Sequence, residues 1–93
     1  MANNARASHI LVKTEEEAKS ILNKLKLGES FEKLAQQYSL CPSRKRGGSL
    51  GEFGRGKMVK EFEKAVFSAK KGDIVLAKTQ FGWHVIKVED LWG

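Results

Sequence analysis

Five of the chain's nine glycines, Gly47, Gly48, Gly51, Gly54 and Gly56, fall between Ser43 and Lys57. Glycine reaches backbone conformations closed to other residues and weakens regular structure. This stretch therefore reads as a tightly folded loop passing close to other elements, interrupted by a short strand around Leu50 to Phe53. Helices and longer strands must lie on either side of it. On the amino-terminal side, Ala7 to Val12 is short, apolar and β-rich and reads as a strand. Thr14 with Glu17 forms a capping box, whose hydroxyl and carboxylate satisfy orphan amides of the first helical turn. Ala18, Ile21, Leu22 and Leu25 continue at helical spacing to a stop at Gly28, giving a helix that covers one side of the sheet. Ser30 caps a second helix with Phe31, Leu34, Ala35 and Tyr38 on one stripe. The lone proline, Pro42, then forces Cys41 out of helical geometry.

Beyond the loop, Met58, Phe62, Ala65 and Val66 mark a further amphipathic helix stopped by Gly72. Asp73 to Thr79 reads as a strand, Gln80-Phe81-Gly82 as a turn, and Trp83 to Glu89 as the strand returning antiparallel. Alternation places His84 on the face of Ile86 and Val88, and His9 with Ala7 and Leu11. Both histidines thus lie within strands among apolar neighbours. At 93 residues the chain makes one domain, residues 1–93 with a core of about 6–89. A domain this small buries on the order of 60–65% of its unfolded surface. One layer of helix against one small sheet is expected, with any site a shallow groove unsuited to a sequestered cofactor.

Hydrophobic residues at 41% and charged residues at 30% exclude a disordered or low-complexity chain. Seventeen Lys and Arg against eleven Asp and Glu leave +6, which favours acidic partners. The cations are interleaved with glutamates along the whole length, so a solvated basic surface is expected ahead of nucleic-acid binding. The run Arg44-Lys45-Arg46-Gly47-Gly48 lacks the Gly-Lys-Ser/Thr end of a nucleotide loop. His9, His84 and Cys41 have no ligand-pair spacing, so no metal is expected. A single cysteine makes no internal disulfide, the segment Met1 to Arg6 lacks an apolar secretion signal, and a soluble cytoplasmic protein is the expectation. From composition the histidines read as a hydrogen-bonded pair satisfying buried polar groups, and Cys41 as a small buried hydrophobe.

Several segments taken together resemble the parvulin family of peptidyl-prolyl cis/trans isomerases. Ala7-Ser8-His9-Ile10-Leu11-Val12-Lys13 is similar to its first strand and Phe31-Glu32-Lys33-Leu34-Ala35 to its second helix. Gly47-Gly48-Ser49-Leu50-Gly51-Glu52-Phe53 with Gly56-Lys57-Met58-Val59 resembles its central signature. Phe62 to Phe67 and Lys78 to Ile86 complete the match. The resemblance implies an α+β fold, a four-stranded antiparallel sheet surrounded by four helices in the order β-α-α-α-β-α-β-β, the third helix lying within Ser43 to Arg46. It implies His9, Cys41, Thr79 and His84 as catalytic residues and Leu50, Met58 and Phe62 as the proline pocket, with Phe81 on its rim. The implied activity is noncovalent rotation about Xaa-Pro bonds in peptides and folding proteins, needing no cofactor. The implied partners are proline-containing peptides and unfolded or partly folded proteins, bound by a monomer. Relatives that require phosphate before proline carry a basic insertion after the first strand. Here Lys13 runs directly into Thr14-Glu15-Glu16-Glu17, so no phosphate requirement is expected. The rivals are a noncatalytic polypeptide-binding chaperone module and a basic nucleic-acid-binding protein. One departure stands out: the stretch Asp73 to Lys78 lacks the proline usual before the last motif, which leaves the bend at that sheet edge open.

Overall fold

The computed structural model describes residues 2–93, and Met1, the first residue of the expected domain, lies outside the described residues. Strand β1 (Asn4–Val12) is followed by α1 (Glu15–Lys26), α2 (Phe31–Tyr38), a short 3₁₀ helix (Pro42–Arg46), β2 (Ser49–Gly54), α3 (Lys60–Phe67), β3 (Ile74–Thr79) and β4 (Gly82–Trp92). The four strands form one antiparallel sheet in the order β2-β1-β4-β3. The expected α+β order is present, with the third of its four helices a 3₁₀ turn. Pro42 starts that turn, where a missing N–H costs nothing, and Gly47 ends it at φ 67°.

Local signals set the helix ends. The Thr14 hydroxyl accepts the Glu17 N–H and donates to the Glu17 carboxylate at 3.0 Å, so the glutamate bonds the cap's side chain instead of an amide, unlike the expected box. Glu15, Glu16 and Glu17 sit at the positive end of the α1 dipole and Lys24 and Lys26 at its negative end. The Ser30 hydroxyl accepts the Lys33 N–H to start α2. Helix α3 is shorter than its apolar periodicity predicts. It begins after Met58 and ends at Phe67, while Gly72 belongs to a later turn, where its N–H donates to the Val88 carbonyl at 2.7 Å.

Helices cover both faces of the sheet, which corrects the single layer expected from size. Ile10, Val12 and Val85 pack against Ala18 and Ile21 of α1 and Phe31, Leu34 and Ala35 of α2. On the opposite face Ala5, Ala7, Ala77, Ile86 and Val88 pack with Phe53 against Phe62 and Val66 of α3. Burying each large aliphatic side chain stabilises the fold by about 1.5–3 kcal/mol, and Ile10, Val85, Ile86 and Val88 are wholly inaccessible.

Two bulges keep the second face apolar. Along β1 the register steps between Arg6 and Ala7 against β4, leaving Glu89 as the extra residue. It steps again opposite β2, where Leu50 and Gly51 together face Ala7 and Gly51 takes φ 70°. An inserted residue inverts the side-chain alternation. Leu91 and Val88, three apart, therefore meet the same core as Ala5 and Ala7, as do Leu50 and Phe53. The strands also run further than expected, from Asn4 paired with Trp92. The proline-free edge is regular: β3 pairs with β4 from Ile74 opposite Lys87 to Thr79 opposite Gly82 without a register shift.

Candidate active site

Antiparallel pairing puts His9 opposite Ile86 and Leu11 opposite His84, so the two histidines are diagonal neighbours on the α3 face. Their Nδ1 atoms are 2.9 Å apart and their rings nearly parallel, with centroids 5.1 Å apart. Phe62 presents itself edge-on to both, at 5.6 Å from His9 and 5.3 Å from His84. On β3, Thr79 shares the face of Ala77, which is opposite His84. Its hydroxyl lies 2.7 Å from His84 Nε2 and accepts the Phe81 N–H at 3.1 Å.

These partners couple the tautomers. The Thr79 hydroxyl, which accepts the Phe81 N–H and keeps a second lone pair, either donates to His84 Nε2 while His84 Nδ1–H donates to His9 Nδ1, or accepts from His84 Nε2–H while His9 Nδ1–H donates to His84 Nδ1. In both arrangements His9 Nε2 is a buried atom with no partner. Such an orphan costs about 1–3 kcal/mol. Burial, then the His84 charge, lowers His9 from 6.5 to about 4. Burial lowers His84 as well. Both rings are neutral at physiological pH.

The histidines form the floor of a groove of 410 Å³ whose walls are mainly apolar. Seven of the eight residues expected at the site line it: His9, Cys41, Leu50, Met58, Phe62, Phe81 and His84. Thr79 stands behind, joined through His84. Met58 reaches the groove from the turn before α3, not from the helix itself. Phe81 (58% exposed) and Leu40 (56%) form its rim.

Cys41 faces the groove, half-buried, just before the 3₁₀ helix. It is held there by Ser39, which the sequence reading passed over. The buried Ser39 hydroxyl accepts the Leu11 N–H at 3.0 Å and the Cys41 N–H at 3.3 Å, and the Leu40 N–H donates to the Leu11 carbonyl at 2.8 Å. These bonds lock the loop after α2 to the strand carrying His9. The glycine loop docks equally closely, with Gly48 accepting the His9 N–H at 2.9 Å. A Cβ on Gly48 would lie 2.5 Å from the His9 carbonyl oxygen. Leu11, Leu40, Lys57 and Val59 also line the groove. Leu11 carried a signal in its place on the His9 face, and Lys57 and Val59 only in lying within the segment that resembles the family's central signature. All but Leu11 come from loops, where no periodicity reports direction.

The family model described as PPIC-type PPIASE domain matches residues 1–91. Foldase protein PrsA of Geobacillus kaustophilus is 55% identical over 87 residues, 91% of this chain and 31% of that protein. The chain thus spans about a third of the length of the curated relatives it matches. The crystal structure of the peptidylprolyl isomerase PrsA from Bacillus anthracis superposes with a TM-score of 0.95 at 42% identity, over 99% of this chain and 43% of that one. The solution structure of NmPin, the parvulin of Nitrosopumilus maritimus, gives 0.86 at 43% identity over 97% of this chain and 99% of that one. Sequence, architecture and near-complete mutual coverage agree, and the chain belongs to the PPIC-type peptidyl-prolyl cis/trans isomerase family, the parvulins.

Proposed function

We propose that the groove catalyses rotation about Xaa-Pro bonds in peptides and folding proteins without covalent chemistry and without a phosphate requirement. The observation that carries this reading is the convergence of Leu50, Met58 and Phe62 on one apolar hollow directly above the neutral His9–His84 pair. The amide barrier is about 18–20 kcal/mol because the nitrogen shares its lone pair with the carbonyl. Unassisted prolyl isomerisation takes tens to hundreds of seconds. Raising this to about 10² per second needs the barrier lowered by only about 5 kcal/mol. Gripping the ring in an apolar pocket while the preceding carbonyl turns supplies stabilisation of that order, because a twisted amide has lost conjugation and is less costly to desolvate than a planar one.

In this scheme Leu50, Met58 and Phe62 hold the proline ring and Phe81 closes its rim. His9, His84 and Thr79 fix the floor through one chain of hydrogen bonds. Cys41 offers a weakly polar group to the rotating carbonyl. The imidazoles are hydrogen-bonded to each other and to Thr79, no hydrogen bond among the described residues joins the thiol to either, and the modest rate gain needs no adduct. The two-residue link from β1 to α1, Lys13-Thr14, opens into Glu15, Glu16 and Glu17, which repel a dianion. Exchange NMR on Xaa-Pro peptides tests the reading. Acceleration is expected on plain peptides and is at least as large as on their phosphorylated counterparts. Absence of acceleration by the folded protein would refute it, and acceleration confined to phosphopeptides would refute the phosphate part.

A further inference from the structure

Resting on the isomerase reading above, we propose that the groove continues beyond the proline pocket into a second subsite, which takes an apolar side chain of the same substrate polypeptide a few residues from the proline. A second hollow, of 490 Å³, adjoins the first and shares Leu50, Lys57 and Met58 with it. Leu50 and Met58 therefore form a saddle rather than an end wall. Beyond it stand Phe53 and Trp92, with Asn4 and Glu52 at the margin. The bulge at Leu50 and Gly51 turns Leu50 and Phe53 to the α3 side of β2, while Trp92, opposite Asn4 and next after Leu91, stands on the other side, so the hollow wraps the end of the sheet from Phe53 past Gly54 to Trp92.

Three features suit this hollow to the chain flanking a bound proline. Trp92 is a large aromatic left 38% exposed, at the final paired position of β4. An indole in that position offers apolar contact at little conformational cost. Strand β2 is an edge of the sheet, so one side of its backbone is unpaired within the sheet and can hold an extended peptide by main-chain hydrogen bonds. The charges beside the hollow, Lys57 and Glu52, are of opposite sign and favour neither an acidic nor a basic side chain, while Leu50, Phe53, Met58 and Trp92 supply the apolar part of a mixed lining. A chain crossing the saddle alternates its side chains, one anchored as the proline and a later one lowered against Trp92.

The test compares a proline tetrapeptide with glycine- and serine-based decapeptides, each carrying one phenylalanine one to four positions before or after the proline. Isomerisation is followed by exchange NMR. One placement is expected to lower KM about fivefold to tenfold relative to the other placements. Trp92→Ala is expected to abolish that gain while leaving kcat/KM for the tetrapeptide unchanged. In the unsubstituted protein the favoured decapeptide, and not the tetrapeptide, shifts the Trp92 indole N–H resonance, a readout that holds even if Trp92→Ala does not fold. A flat series with the tetrapeptide still accelerated overturns the subsite and leaves the isomerase reading intact. No acceleration of any peptide overturns that underlying reading instead. A concentration-dependent dimer that covers Trp92 and excludes the decapeptide also overturns the subsite.

Discussion

Acid should loosen this domain through one buried imidazole. His9 titrates near 4 when folded and at 6.5 when unfolded, so the unfolded chain binds the extra proton between those values. The stabilisation is complete above pH 6.5 and is lost as pH falls towards 4. At pH 5 the loss from His9 alone is about 2 kcal/mol, and at the acid limit about 3 kcal/mol. A domain of this length is stable by only about 5–15 kcal/mol, so the effect is large. With a urea dependence of about 1 kcal/mol per molar, the unfolding midpoint drops by about 2 M between pH 7 and pH 5. Tryptophan fluorescence during urea titration of the protein and of His9→Gln measures it. Taking the difference between the two proteins cancels the titrating groups remote from His9 and leaves His9 together with its contact partner His84. His9→Gln should be less stable at pH 7, since it leaves His84 Nδ1 without its ring partner, and its midpoint should fall about 2 M less over the same range. Equal pH slopes in the two proteins would refute the buried neutral pair.

Three further outcomes follow from the same geometry. Met58→Ala removes a wall shared by both hollows and should lower kcat/KM about tenfold, corresponding to about 1.4 kcal/mol, with the fold unchanged by circular dichroism. Cys41→Asp, a far poorer nucleophile that keeps a polar group, should retain activity within about tenfold; loss of about 10⁴-fold in a folded variant would refute the noncovalent role of the thiol. Gly48→Ala places a methyl group against the His9 carbonyl in a backbone conformation of φ 88°. It should lower Tm by about 5–15 °C, and an unchanged melting curve would show that the glycine loop does not dock as described.

Where local chemistry decides, the sequence spoke clearly. Ser30 capping α2, the break at Pro42 and the alternation that sets each histidine among the apolar residues of its own strand all follow from neighbours within a few residues; that the two share one face comes from the β1–β4 register. The helix expected from Met58 to Gly72 illustrates the failure: apolar spacing continues past the true ends, and the stop comes from turns whose partners lie far along the chain, such as Val88 for Gly72. Bulges were illegible for a similar reason. Gly51 announces a permissive backbone, but only its pairing with β1 shows that Leu50 and Phe53 share a face. Family likeness brought Thr79 to the histidines, whereas alternation alone had no register for β3. The role of Ser39 was hidden because its two amide partners, Leu11 and Cys41, meet only after the fold closes.

Strands β1 and β4 begin and finish beside each other, with the Asn3 N–H bonded to the Trp92 carbonyl at 3.1 Å. Polypeptide joined at either end would leave from adjacent points, like the two leads of a plug-in component, so the unit can be spliced into a loop of a larger host without disturbing its sheet. Both leads emerge next to Trp92. Any host would then stand at the mouth of the second hollow, where it can guide or obstruct the incoming chain without touching the imidazoles.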